Sequence, residues 1–545
     1  LLIRWLPGLP VVLAAGFTAW ILTRFSVVIH AVHLNPDADF APVLVGDLRT
    51  GTSGGLILVG EASHLTAIAF LYLTRSFPFR DAIWDWGPYL TFLGGLALGA
   101  WACWRVAGPW AAAMTFSAGA CAEATVLLTV MAEGIRGHTF FAVAATCAFL
   151  VLLVEHPDMP RWHKAAACGL AVAVTGSTAA SDPLFLAVGL GPLVGAALTV
   201  WLLRRDRRAR SLALLALGIA GAALILSQLV WVVMHSLGLR KNYLQAGYSV
   251  VDPRQVVPNV RLFLRHVLTL THAAPLGHPS RATPAQLAMT MVIAAITVYA
   301  FFLLFQLRRP GRPEEDAKQR ALLAYTAFWV LSALGVLAAF ALSSFSAGPS
   351  DTSRYVIPVF LALAAVGPLW GRTLDWRRPV AAACVTLFCG ASIAARQNLF
   401  VYQLFPGFGS VHRNGGQLIS FLEGERIKYG YGGYFTSHQL TLLSGMKVYA
   451  YPVIACHQPQ SDTICPLFVN VRTAWYVPRP GVRSFLVQDA SVPAFIAPVP
   501  SKALGRPSET RTFGTMTVFV FDYDIASRFS PPCISPGGFT CPAGA

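Results

Sequence analysis

The sequence predicts a polytopic α-helical membrane protein carrying a small C-terminal α/β domain outside the bilayer, and three observations carry that prediction. Only 12% of the 545 residues are charged and 55% are hydrophobic, against roughly 25% charged in an ordinary soluble domain. Mean hydropathy is +0.58, and the excess is gathered in repeated apolar runs of about 18 residues or more, the length a helix needs to cross a bilayer. The runs stop near residue 395, leaving 396–545 as a polar remainder. A water-soluble enzyme over most of the length is excluded, as are disordered and collagen-like chains.

In chain order, the candidate spans are 6–29, 86–104, 109–131, 138–154, 164–180, 183–203, 211–235, 285–307, 321–345, 355–371 and 379–395. Eleven helices are therefore expected, if ends and tilt are allowed for. The net charge of +16 sits in short loops between spans, as at Arg204 to Arg210, Arg308 to Arg320 and Arg372 to Arg378. That is the positive-inside pattern, and it reports orientation rather than nucleic acid. With those loops cytoplasmic, Arg4, Arg105 and the Arg161 to Lys164 loop also fall inside. The N-terminus is then cytoplasmic and the C-terminus extracytoplasmic, and two long loops, 30–85 and 236–284, lie outside. No A-x-A cleavage site follows the first run, so it is expected to remain as a span rather than leave as a signal peptide. Within the first outer loop, GLILVGEASHLTAIAFLYLTR is interrupted by Glu61 and His64 and reads as an amphipathic or re-entrant helix. Trp84, Trp86 and Tyr89 read as an interfacial aromatic belt.

The chain thus divides into a transmembrane domain, 1–395, and an extracytoplasmic domain, 396–545, in which YFTSHQLTLLSG suggests a short helix and MKVYAYPVIA and TMTVFVFDYD suggest strands. Four of the ten cysteines lie in the second domain. Outside the cytoplasm these can form disulfides, and close spacing makes Cys456 with Cys465 and Cys533 with Cys541 the first pairing to expect. No C-x-x-C or paired histidines accompany them, so no zinc site is expected. The cysteines in apolar runs, such as Cys103, Cys121, Cys147 and Cys168, read as small packing residues.

No phosphate-binding glycine loop, nucleophile elbow, zincin motif or dinucleotide fingerprint is present. Carboxylates instead collect on the expected outer face. Most are solvated loop charges, but Asp37 and Asp39 in LNPDADFAP follow directly on the first span. In an extended segment they share a side; in a helix about 200° separates them. Either can accept a proton from an attacking hydroxyl.

A first outer loop with this aspartate, two long outer loops, many spans and an extracytoplasmic C-terminal domain together resemble the GT-C superfamily of membrane glycosyltransferases, the class that includes bacterial protein O-mannosyltransferases. Segments with His138 (GHTFFAV), Asp182 (TAASDPLFL) and Arg354 with Tyr355 (DTSRYVIPV) resemble outer-edge segments of its bacterial members. YGYGGYFTSHQLTLLSGMKVYA resembles a stretch of their C-terminal parts. The family's frequent Asp-Glu pair is Asp-Ala-Asp here, which leaves the base open between Asp37 and Asp39.

The resemblance implies transfer of a sugar, hexosyl or pentosyl, from a polyprenyl-phosphate donor to a hydroxyl of a glycan, lipid or protein acceptor, at the outer face of a bacterial plasma membrane. Arg354 with Tyr355, or Arg261 and Arg265 in NVRLFLRHVL, would hold the departing phosphate; anchoring to anionic membrane lipids is the plainer role for each arginine. His138 and Asp182 would contact sugar hydroxyls, although Asp182 can equally cap a helix before Pro183. Outer acids could ligate magnesium or manganese, but no compact set of metal ligands can be picked out. A transporter or flippase for a lipid-linked envelope precursor, or an envelope scaffold, would share the span pattern.

Overall fold

The computed structural model describes residues 8–32, 36–48, 56–59, 65–77, 80–132, 135–236, 240–242, 250–274, 282–308, 316–343, 353–372, 377–400, 406–455, 464–467, 471–491 and 504–529. The chain forms two compact units. A helical unit comprises Leu1–Phe25, Trp86–Val230 and Tyr248–Asn398; a sheet unit comprises Ser26–Asp85, Trp231–Gly247 and Leu399–Ala545. The sheet unit thus takes in most of the first long loop as well as the C-terminal stretch.

Among the described residues, seven helices are long and apolar enough to cross a bilayer: Ala82–Ala107, Gly137–Glu155, Leu186–Arg204, Arg207–Ser236, Pro284–Leu307, Asp316–Leu342 and Ser353–Gly371. An eighth is reached if Pro109–Ala120 and Ala124–Met131, bent by 78° at their junction, count as one. Among the described residues the expected count of eleven is not confirmed. The other three segments are helical, but Leu9–Thr23 stops after 15 residues at Arg24, and Arg161–Ser181 and Arg377–Ala394 open with basic residues that dilute the apolar run.

Within the helical unit, Asp316–Leu342 is the central strut, packing against Ile135–Glu155, Gly191–Arg204, Pro253–Leu270 and Ile357–Val366. At one end, ion pairs tie loops that the charge pattern assigns to a single face: Arg105 to Glu155 at 2.8 Å, Arg320 to Asp316 at 2.9 Å and to Asp206 at 3.3 Å, and Arg204 to Asp316 at 3.6 Å. Midway, the strut meets a π-helical turn, Leu186–Leu190. A π turn loosens the regular carbonyl pairing, and Ser332 Oγ donates to the Val188 carbonyl at 3.1 Å. Gly335 allows the approach, since a Cβ there would stand 2.4 Å from the Ala187 carbonyl oxygen. The expected aromatic belt is partly overturned: Tyr89 is fully buried, and Trp86 stacks on Phe25 at 3.7 Å between centroids. A large ring gains more from burial than from the interface when a partner surface exists.

The sheet unit is built on six strands in the order β5-β4-β3-β7-β9-β8: β3 (Tyr429–Gly432), β4 (Tyr449–Ala455), β5 (Ile464–Pro466), β7 (Ser484–Asp489), β8 (Glu509–Phe513) and β9 (Met516–Phe521). β3 is parallel to β4 and β7, and the remaining pairs are antiparallel. The expected helix is Tyr434–Leu443, crossing from β3 to β4. Together with Pro406–Gly424 it covers one sheet face, where Leu418, Leu422, Leu440, Phe485, Val487 and Val518 form the core. Three further strands, β1 (Leu56–Val59), β2 (Arg240–Asn242) and β6 (Val471–Arg472), make a small sheet in the order β2-β1-β6. The expected non-spanning helix over 55–75 is therefore confined to the ten residues Leu65–Thr74, and Leu56–Val59 forms β1 instead. The apolar run beginning at Leu56 is satisfied by strand pairing; Glu61 and His64 lie outside the described residues.

Candidate functional site

The Asp37 and Asp39 segment is helical. Both lie in the first turn of Pro36–Leu48, where Pro36 suits the first helical position and acidic residues complement the helix dipole. The extended alternative is removed, and about 200° of helix rotation separates the two positions. Their side chains lie outside the described residues.

The far end of this helix is held by residues that the sequence reading did not single out. Asp47, 6% exposed, accepts hydrogen bonds from Arg472 Nη1 at 2.7 Å and Trp475 Nε1 at 2.8 Å. Arg472 Nη1 also donates to the Asp47 carbonyl at 3.2 Å. The helix packs on Tyr434–Leu443, in which His438 is fully buried. Among the described residues, neither His438 ring nitrogen has a hydrogen-bond partner. The ring faces Tyr434 and Trp475, with centroids at 5.3 and 6.2 Å, and burial pushes its pKa down to about 3. No local motif signals Asp47 and Arg472 as partners, because they are 425 residues apart.

In the helical unit the remaining candidates fall into two groups. Asp182 is 1% exposed and accepts hydrogen bonds from Thr139 Oγ1 at 2.9 Å and from the Leu184 N–H at 3.0 Å. The second bond is the cap before the next turn. The first brings Asp182 to the residue following His138, which is half-buried at the start of its span. Arg354 and Tyr355 lie in the 3-10 turn Ser353–Val356, which packs on Pro253–Leu270 and Ala124–Ala132. Arg354 Nη2 donates to the Tyr355 hydroxyl at 3.2 Å, and its guanidinium lies 5.2 Å from the Tyr355 ring centre. Arg261 and Arg265 are exposed together with Arg254 on one side of Pro253–Leu270. The other side, with Asn259, Phe263 and Val267, is buried, and Asn259 Nδ2 donates to the carbonyls of Ala341 and Ser343 at 3.1 and 3.2 Å.

Two further features emerge only in three dimensions. Glu123 lies in the break of the bent helix pair, 6% exposed, and its Oε2 accepts the Thr125 N–H at 2.6 Å. Its signal in the sequence is an acid inside an apolar run, hidden when 109–131 is read as one uninterrupted span. Next, an apolar cavity of about 400 Å³ opens among Pro284–Leu307, Ser353–Gly371 and Arg377–Ala394, lined by residues including Met289, Ile293, Tyr299, Phe360, Trp370 and Phe388.

Among the described residues, no group of three or more His, Cys, Asp or Glu could hold a metal ion. Cys465 is disulfide-bonded, whereas Cys456, Cys533 and Cys541 lie outside the described residues. Cys103, Cys121, Cys147, Cys168, Cys384 and Cys389 are free thiols.

A bundle of apolar helices and a small sheet unit make up a fold that this chain shares with solved structures. The chain is similar throughout to crystal structures of ArnT from Cupriavidus metallidurans. The apo form matches with a TM-score of 0.52 at 13% identity, covering 94% of this chain and 99% of that one. The form bound to undecaprenyl phosphate matches with a TM-score of 0.51 at 15% identity, with the same coverage. No family model matches the chain, and no curated protein matches it in sequence.

Proposed function

We propose that the protein is an integral-membrane glycosyltransferase that moves a sugar from a polyprenyl-phosphate donor to an acceptor hydroxyl at the outer face of a bacterial plasma membrane. The observation that carries this reading is the likeness over nearly the whole of both chains to a transferase fold whose solved form binds undecaprenyl phosphate. The chemistry needs a base, a cation for the departing phosphate and an apolar site for the isoprenoid chain. Asp37 or Asp39 serves as the base. Arg354, with Tyr355 beside it, offers a planar fork to phosphate oxygens, and Arg261 and Arg265 are the alternative. The cavity between Pro284–Leu307 and its neighbours suits the isoprenoid chain because its lining is almost wholly apolar. His138 and Asp182 are assigned to sugar hydroxyls, with Thr139 already orienting the Asp182 carboxylate. Disulfides from Cys456 to Cys465 and Cys533 to Cys541 belong to the same extracytoplasmic reading.

In membranes supplied with radiolabelled polyprenyl-phosphate sugars, Asp37→Asn loses transfer by a factor of about 10² or more while donor binding persists. Full activity in both Asp37→Asn and Asp39→Asn would remove the catalytic proposal. One observation favours the alternative of a flippase: Glu123 sits at an interrupted helix, as ionisable residues of transporters do. Donor flipping in liposomes that is lost in Glu123→Gln, with no transfer in the parent protein, would select that reading.

A further inference from the structure

The six-stranded sheet has a second face with different chemistry. β3 and β4 pair in parallel with Tyr429 opposite Tyr449 and Tyr431 opposite Tyr451. Because alternate strand residues share a face, four tyrosines stand together there. The inner end of this ladder is closed. Trp475 stacks on Tyr451 at 5.0 Å and 19°, Phe529 stands edge-on to Tyr431, and the Tyr431 hydroxyl donates to buried Asp524 at 2.9 Å.

The outer end is open. Tyr429 and Tyr449 are half-buried, with rings 5.9 Å apart and within 24° of parallel. Among the described residues their hydroxyls have no protein partner. Exposed Lys428 places Nζ 5.4 and 5.6 Å from the two ring centres and has no carboxylate within ion-pairing distance among the described residues. The Arg479 guanidinium lies 4.3 Å from the Tyr429 ring centre, with Nη1 held at 3.5 Å by Asp524.

A purely structural aromatic cluster would be walled by aliphatic side chains, not rimmed by unpaired phenols and a lone ammonium. Stacked rings with hydroxyl and ammonium donors at their edge answer both halves of a saccharide. Its C–H face, weakly positive, meets the negative ring face, and its hydroxyls meet charged donors. A lipid would need a longer apolar trough, and an extended peptide would need a free strand edge. The site also belongs to the same unit as the loop helix. Burial and then the Asp47 charge raise the Tyr449 phenol pKa, and Asp47 is ten residues along one helix from Asp37, about 15 Å at 1.5 Å per residue. A glycan a few rings long bridges such a distance.

We infer that the outer end of the ladder, Tyr429 and Tyr449 with Lys428 and Arg479, is a carbohydrate platform that holds the acceptor as a glycan chain. It rests on the transferase reading for the acceptor role alone, and saccharide binding can be measured without transfer. The full chain in nanodiscs, without donor, is applied to an array of neutral and acidic oligosaccharides and to a peptide array, and hits are titrated by saturation-transfer NMR. Oligosaccharide binding is expected, weakened tenfold or more in Tyr449→Ala, several-fold in Lys428→Gln and retained in Tyr449→Trp.

No saccharide binding, equal binding by a folded Tyr429→Ala/Tyr449→Ala protein, or Tyr449-dependent binding of peptides alone would overturn the platform. Should Tyr449→Ala fail to fold, unchanged binding in Lys428→Gln does the same. Tyr449-dependent glycan binding in a protein that never transfers sugar keeps the platform and removes the transferase.

Discussion

The two units reach specificity by opposite means. In the sheet unit, a buried carboxylate, a guanidinium and an indole N–H lock the loop helix to a strand hundreds of residues away. In the helical unit, the strut Asp316–Leu342 is held by close backbone approach at Gly335 and a hydroxyl on a π-turn carbonyl. The difference follows from the solvent. Where water competes, apolar burial supplies stability and a polar pair can specify register. Among lipid-solvated helices, small residues and packing take over that role.

The sharpest way to break this contrast is Arg472→Met, which leaves the Asp47 carboxylate buried without its guanidinium partner. It should cost about 3–5 kcal/mol, whereas Asp47→Leu/Arg472→Met should recover much of that loss. Thermal unfolding of the sheet unit, followed by limited proteolysis, reads the effect. If the pair acts only as a structural lock, the double variant should also regain whatever part of the proposed transfer activity Arg472→Met loses. Gly335→Leu is the counterpart in the helical unit. The added side chain meets the Ala187 carbonyl, and a loss of about 1–3 kcal/mol is expected, seen as a lowered inactivation temperature in detergent, with sheet-unit proteolysis unchanged.

The smallest effect near neutral pH belongs to His438. Its folded pKa lies near 3 against 6.5 for the free side chain, so between those values the unfolded chain binds the proton and the folded unit does not. Stability is full above about pH 6.5 and falls by up to about 1.4 kcal/mol for each pH unit below it, until the folded group itself titrates. His438→Leu should flatten that dependence in a melting series from pH 7 to pH 4; an unaltered slope would locate the acid sensitivity elsewhere.

The helical class, the positions of the apolar segments and the passage from the Tyr434–Leu443 helix to β4 were legible because periodicity and apolar run length are local properties. The span count was less so. Arg24 interrupts the first run, and the basic openings of Arg161–Ser181 and Arg377–Ala394 shorten their apolar parts, which counting windows with generous ends passes over. At the candidate site, Asp37 and Asp39 were visible as an acidic turn after a span, but their helical setting was not, since Pro36 can as readily open a helix as end one. The Thr139 to Asp182 bond and the Glu123 break depend on how two helices meet, which neither segment encodes alone.

By itself, the amino-acid sequence determined that most of this chain must leave water, because twenty-residue apolar stretches with so few charges have no stable soluble alternative, and it determined where the polar remainder begins. Only the tertiary structure decided that 26–85 joins that remainder, that Asp47 meets Arg472 and that four tyrosines form one face. Those are pairings between distant segments, set by which surfaces bury and bond best once the whole chain is present.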